Sequence, residues 1–125
     1  MACVECRDRS VLYLEDEVLI ALDVSHYLGE VGFGEILVAH RLRDAWSAID
    51  DRTFDLALLD INVDKNQTSI ELGERLMTDG TPVIFVSGSG AEREPLENRG
   101  FRFIDKPFSH EALQHEITVA LSAYP

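Results

Sequence analysis

Five residues with acidic, hydroxyl or ammonium side chains stand at the ends of short apolar runs. Glu15 and Asp16 follow the first run, Asp60 the third and Ser87 the fourth, and Lys106 comes close after the fifth. Carboxylates brought together without a counter-charge repel one another, and a divalent cation such as Mg²⁺, which prefers oxygen ligands, would stabilise them. A lysine ammonium and a serine hydroxyl can both contact phosphate oxygens. The set therefore indicates phosphoryl transfer to a carboxylate, provided that the fold brings these residues together.

Alternating strands and helices would position these residues. Apolar runs of strand length predict strands at residues 11–14, 36–39, 54–59, 82–86 and 101–104. Helical spacing of apolar residues predicts helices around 20–31, over 41–52 and 70–78, and from the N-cap Ser109 onward. We therefore predict an α/β, flavodoxin-like (βα)5 fold, with a doubly wound parallel sheet and strand order 2-1-3-4-5. In such folds ligands bind beyond the carboxyl ends of the strands.

The fourth helix is expected to be short. Pro95 lies in the middle of the segment between Gly90 and Gly100, and a proline inside a helix costs about 3 kcal/mol. Few apolar residues occur there, and Leu96 is the main candidate to anchor the segment. We therefore predict a shortened helix at this place.

Composition limits the class of protein. The 125 residues suit one domain, and the net charge of -12 would repel a phosphate backbone, which argues against direct nucleic-acid binding. No apolar stretch is long enough to span a bilayer, and no apolar N-terminal segment marks export. We expect a cytoplasmic protein that does not insert into a membrane.

The two cysteines, Cys3 and Cys6, form a C-x-x-C pair at the start of the chain. A structural zinc site generally needs four ligands, and no second pair exists. The first nine residues lack apolar periodicity. We expect residues 1–9 to be a flexible tail in which the cysteines are incidental, and residues 10–125 to form the domain.

The strand-end residues, in this order, resemble the receiver domain of two-component response regulators over residues 10–124. The resemblance implies that Asp60 is the phosphoacceptor. It implies that Asp16 and Asp60 bind Mg²⁺ directly, together with the backbone carbonyl of Asn62, while Glu15 acts mainly through water. Lys106 would contact the phosphoryl group. Two further residues, Ser87 and Phe103, would be a hydroxyl and an aromatic switch.

The same resemblance implies partners and a subgroup. A sensor histidine kinase or a histidine phosphotransfer protein would supply the phosphoryl group, and a homodimer would form through the fourth helix, the fifth strand and the fifth helix. The role would be signalling rather than metabolic catalysis. The string from Pro82 to Gly88 is similar to the Pro-Phe-x-Phe-Ala-Thr-Gly signature of a receiver subgroup that is often single-domain, with Val83, Val86 and Ser87 as departures.

Four other functions would use similar residues. Small phosphatases with an aspartate nucleophile need a second Asp two residues later as general acid, where this chain has Asn62. A degenerate receiver would act only through protein interactions, and a flavodoxin would need a Ser/Thr-rich loop where this chain is acidic. The spacing of Asp60, Asn62 and Asp64 also approaches a calcium-binding EF-hand loop. However, Lys65 replaces the required Gly, and a strand rather than a helix is predicted before it.

Overall fold

Five parallel strands form the central sheet of the protein, which a computed structural model describes over residues 3–88 and 93–122. With the two short strands of a hairpin included, the described residues form seven strands. In chain order they are β1 (Ser10–Leu14), β2 (Glu35–Ala39), β3 (Leu56–Asp60), β4 (Asn62–Val63), β5 (Gln67–Thr68), β6 (Val83–Ser87) and β7 (Arg102–Asp105). The sheet has the order β2-β1-β3-β6-β7, and β4 and β5 form a separate small hairpin. Counting only the strands of the large sheet, this is the predicted order 2-1-3-4-5, so the flavodoxin-like prediction is confirmed.

Five α-helices occur in the described part of the chain; four connect strands of the large sheet and the fifth follows the last strand. They are α1 (Val18–Val31), α2 (Leu42–Asp51), α3 (Ile70–Thr78), α4 (Arg93–Glu97) and α5 (His110–Ser122). Ser109 caps α5 as predicted, because its hydroxyl accepts a hydrogen bond from the Ala112 N–H at 3.0 Å. Within the described ranges, no helix is long and apolar enough to cross a membrane.

The sheet is buried on both faces, which explains the unbroken apolar runs of its central strands. Successive side chains of β1 point to opposite faces: Val11 and Tyr13 join one apolar cluster, and Leu12 and Leu14 join the other. The first cluster includes buried residues of α1 and α5, and the second includes those of α2, α3 and α4. These two layers fix the sheet, and with it the positions of the strand ends.

Gly73 lets α3 lie directly on the sheet. A Cβ atom at this position would overlap the ring of Phe85, which is fully buried in β6. The ring of Phe85 in turn packs against Phe101 and Phe103, with centroids 5.1 Å and 5.6 Å away. A side chain at Gly73 would therefore displace the ring of Phe85 and, through it, the phenylalanine cluster that includes Phe103 of the edge strand β7.

The described part of the fourth helix has five residues, as the position of Pro95 predicts. Pro95 lies within these five residues, and a proline in the interior of a longer helix would remove an intrahelical hydrogen bond. Leu96 is only 5% exposed and belongs to the second cluster, so its anchoring role is confirmed. Residues 89–92 of the predicted segment lie outside the described residues.

Residues 3–9 are packed on the domain and are not a separate tail, which corrects the expectation for this segment. The backbone N–H of Cys3 donates to the Val31 carbonyl at the end of α1 at 2.8 Å, and Arg7 pairs with Phe33 in an isolated β-bridge. Cys3 and Cys6 are joined by a disulfide bond and are buried in the first cluster. Their burial depends on contacts with α1 and α5, which the local sequence pattern does not reveal.

Candidate functional site

The carboxyl ends of four strands meet at one edge of the sheet and bring the predicted residues together. Glu15 and Asp16 follow β1 directly, and Asp60 ends β3, the neighbour of β1. One carboxylate oxygen from each of these three residues lies within 4.8 Å of the other two. Glu15 and Asp60 are buried, at 2% and 5% exposure, whereas Asp16 is exposed. The acidic group therefore has two buried members and one that faces solvent.

Lys106 supplies the positive charge of the site. Its Nζ donates to Asp60 Oδ2 at 2.8 Å and lies 3.4 Å from Glu15 Oε1. Burial alone would lower the pKa of Lys106, but the hydrogen bond and charge of Asp60, together with the charge of Glu15, raise it above its usual 10.5. The ammonium therefore stays protonated and holds the Asp60 carboxylate in place.

Glu15 is the unusual acid of the group. Burial of its carboxyl and the nearby charge of Asp60 raise its pKa from 4.5 to about 7, although the Glu17 N–H and the Lys106 ammonium oppose the change. The Glu17 backbone N–H donates to Glu15 Oε2 at 3.2 Å, and Nδ1 of His40 lies 3.0 Å from the Glu15 backbone carbonyl. Glu15 is thus held in place on both its side chain and its backbone, yet its negative charge is poorly compensated.

The donor set fits a hard divalent cation. Carboxylate oxygens are the ligands that Mg²⁺ prefers, and Mg²⁺ commonly takes one or two of them and keeps several waters. The exposed Asp16 beside the buried Asp60 offers such a pair with access for water. Asn62 lies two residues beyond Asp60, at the start of β4, and its carbonyl as a ligand stays a prediction.

The hairpin of β4 and β5 directly follows the acidic site and was not predicted. Asp64, at its turn, has a left-handed backbone with φ 49°. Its N–H donates to Asp16 Oδ2 at 3.3 Å, and its carboxylate accepts from the Leu42 N–H at the start of α2 at 2.9 Å. Asp64 therefore connects Asp16 to α2. The chain ahead of this turn is the strand β3, whereas an EF-hand loop follows a helix.

Ser69 is a positioning residue that the sequence analysis missed. It is fully buried, and its hydroxyl donates to the backbone carbonyl of Asp60 at 2.7 Å, while its N–H donates to the Ile61 carbonyl at 2.9 Å. A serine just ahead of an apolar helical pattern is a familiar helix-start signal. That signal could have marked the residue, although here the hydroxyl bonds to the strand and not to the helix.

The two predicted switch residues are both buried. Ser87 is 1% exposed at the end of β6, and its carbonyl accepts from the Lys106 N–H at 2.9 Å. Phe103 is 3% exposed, and the guanidinium carbon of Arg93 lies 5.7 Å from its ring centroid. Arg93 also pairs with Asp105 at 2.7 Å, so it covers Phe103 and ties α4 to β7.

A doubly wound sheet with this acidic cluster and its lysine at the strand ends defines the receiver class of signalling domains. The family model for the response regulator receiver domain matches residues 11–118. The chain belongs to this family.

Similar proteins agree with this membership. The transcriptional regulatory protein CpxR of Klebsiella pneumoniae is 31% identical over 114 residues, which are 89% of this chain and 48% of that protein. A variant of the anti-anti-sigma factor PhyR of Bartonella quintana is 27% identical with a TM-score of 0.79, over 92% of this chain and 49% of that one. A CheY-like receiver domain from Methanospirillum hungatei shares the fold, with 24% identity and a TM-score of 0.81 over 92% and 94% of the two chains. The chain spans about half the length of the curated relative.

Proposed function

We propose that the domain accepts a phosphoryl group on Asp60, in the presence of Mg²⁺, from a phosphorylated histidine of a sensor kinase or a histidine phosphotransfer protein. A carboxylate oxygen of Asp60 would form a bond to phosphorus while the bond from phosphorus to the donor histidine nitrogen breaks. Bound Mg²⁺ would neutralise charge on the phosphoryl oxygens. Lys106 would contact the same oxygens, and Ser87 would donate its hydroxyl to them.

The observation that carries this proposal is the contact between Lys106 and Asp60. The 2.8 Å hydrogen bond orients one carboxylate oxygen and holds a positive charge at the point where the phosphoryl group would arrive. Positioning and charge neutralisation are the main contributions of a protein to phosphoryl transfer. The membership of the chain in the receiver family supports the same assignment.

Acetyl phosphate with Mg²⁺ provides a direct test, read by intact mass spectrometry. We expect one phosphoryl group per chain, and none in Asp60→Asn, which keeps the shape of the side chain but removes the nucleophile. Asp51→Asn, at the exposed end of α2, is the matched control and should be phosphorylated as the wild type is. Phosphorylation of Asp60→Asn at the wild-type rate would refute the assignment. Rapid turnover of a phosphate ester would instead favour the phosphatase alternative.

The metal assignment has its own test. Asp16→Asn should weaken Mg²⁺ affinity strongly because a charged ligand is lost, and Glu15→Gln should weaken it less because Glu15 is proposed to act through water. Lys106→Ala should bind Mg²⁺ at least as well as the wild type, because a repulsive charge is removed. Calorimetric titration of Mg²⁺ into each variant measures these affinities. Equal values for Asp16→Asn and the wild type would remove the proposed site.

The proposed donor is a protein that docks beside the site. The first turns of α1, directly after Asp16, expose Val18, Leu19 and Leu22, with 62%, 81% and 66% of their surfaces accessible. Such an apolar group beside a reactive carboxylate supports protein docking more than a small-molecule donor alone.

We further propose a cytoplasmic location, a switch through Ser87 and Phe103, and a homodimer through the face of α4, β7 and α5.

A further inference from the structure

The C-x-x-C pair at the start of the chain is part of the folded core, and the proposed phosphoryl chemistry does not use it. Cys3 precedes and Cys6 ends the short 3-10 turn Val4–Cys6, and they are bonded to each other. We propose that Cys3 and Cys6 are a reversible dithiol–disulfide site, whose oxidation fixes this N-terminal turn against α1 and α5. The proposal is independent of the proposed function.

The contacts of the turn show what the bond controls. The backbone of Cys3 is tied to the end of α1 through the Val31 carbonyl, and its sulfur lies 3.8 Å from the hydroxyl oxygen of Thr118 on α5. The carbonyl of Arg9 accepts from the Gly34 N–H at 3.0 Å at the other end of the segment. The turn that carries the two cysteines thus lies against both helices that cover this face of the sheet, α1 and α5.

The short ring formed by the bond makes it suited to switching. The two cysteines are only three positions apart, with Cα atoms 5.2 Å from each other, so the bond can form within one turn of chain. The entropy that a disulfide removes from the unfolded chain grows with the length of the loop that it closes. A bond across so short a loop therefore adds little to the stability of the whole domain, and its main effect is on the turn itself.

Burial determines how the exchange proceeds. Cys3 is 4% exposed and Cys6 is 0% exposed, so the turn must open locally before a reagent can reach either sulfur. In oxidation by a low-molecular-weight disulfide such as oxidised glutathione, the Cys3 thiolate attacks one glutathione sulfur and releases one glutathione thiolate. The Cys6 thiolate then attacks the Cys3 sulfur of the mixed disulfide and releases the second. Two electrons pass to glutathione, and the two thiol protons pass to the released thiolates or to water.

Label counting on the full chain tests the proposal, since these are its two cysteines. The protein is equilibrated in a series of glutathione buffers from reducing to oxidising. Each sample is quenched with acid, denatured and alkylated, and its labels are counted by intact mass spectrometry. We expect a change from two labels to none across the series, with no disulfide bond between two chains at any point. A label count that is constant across the series, or a disulfide formed between two chains, would overturn the proposal.

Hydrogen exchange on the same samples tests the structural consequence. Residues 3–9 should exchange faster in the reduced protein, while the strands β1, β3 and β6 keep their protection. The variant with both Cys3→Ser and Cys6→Ser should match the reduced protein and should not respond to the buffer. Equal exchange of residues 3–9 in the two states would refute the local effect. Loss of protection throughout the sheet on reduction would identify a structural crosslink and not a switch.

Discussion

Replacing Glu15 by Gln should stabilise the metal-free protein, and the gain should depend on pH. The wild-type carboxyl is 2% exposed, and its pKa is raised from 4.5 to about 7, chiefly by burial. A raised carboxyl pKa means that the folded state binds the proton more tightly than the unfolded state. Stability from this group is therefore present below about pH 4.5 and is lost as the pH rises through about 7. Glutamine keeps the shape of the neutral acid and removes this loss.

The size of the effect follows from the change in pKa. Each pKa unit corresponds to about 1.4 kcal/mol, so the rise from 4.5 to about 7 gives an upper limit of about 3.5 kcal/mol, and we expect a gain of about 1–3 kcal/mol at pH 8. Near pH 4.5 the two proteins should be equally stable. The difference should grow between about pH 5 and 7 and stay constant above. Mg²⁺ should reduce it, because a bound cation compensates the Glu15 charge.

Urea unfolding in the presence of a chelator, followed by circular dichroism at several pH values, measures the difference. Glu17→Gln is the matched control, because Glu17 is exposed and its side chain makes no cap hydrogen bond. That control should follow the wild type at every pH. Parallel stability curves for Glu15→Gln and the wild type from pH 5 to 8 would refute this prediction, because they would show that the Glu15 charge is not destabilising.

Three further substitutions test the packing and charges of the domain by urea unfolding. Lys106→Met should lower stability by about 1–3 kcal/mol because it leaves buried carboxylates without their counter-charge, and the loss should largely vanish in an Asp60→Asn background. Gly73→Ala should lower stability by about 1–3 kcal/mol through overlap with Phe85, whereas Gly29→Ala, whose Cβ would meet only an ordinary contact at 3.8 Å, should be neutral or stabilising. Tyr13→Phe should leave stability unchanged or raise it by about 1 kcal/mol, because the buried hydroxyl has no hydrogen-bond partner among the described residues. A clear loss on Tyr13→Phe would reveal a partner.

The fold and the strand-end residues could be predicted because their signals are local. The runs in β1, β3 and β6 are apolar without alternation since both faces of these strands are covered. The order of parallel strands then brings Glu15 and Asp60 to one edge. Pro95 acts on its own segment, so the short α4 also follows from one residue.

The features that were not predicted depend on contacts between distant parts of the chain. Cys3 and Cys6 are buried because they pack against α1 and α5. The sequence of residues 1–9 alone gives no sign of this burial, because both helices lie later in the chain. Ser69 bonds to a carbonyl nine positions earlier. Asp64 bonds to groups 22 and 48 positions away. A polar residue gives no sequence signal for a partner that only the tertiary fold supplies.

The backbone hydrogen bond from the Lys106 N–H to the Ser87 carbonyl has a mechanical consequence. It continues the pairing of β6 with β7, in which Ser87 lies opposite Asp105. The main chains of Ser87 and Lys106 are therefore stiffly linked, and a pull on one strand end displaces both together. The distance between the main chains of Ser87 and Lys106 therefore stays nearly constant when either strand end is displaced.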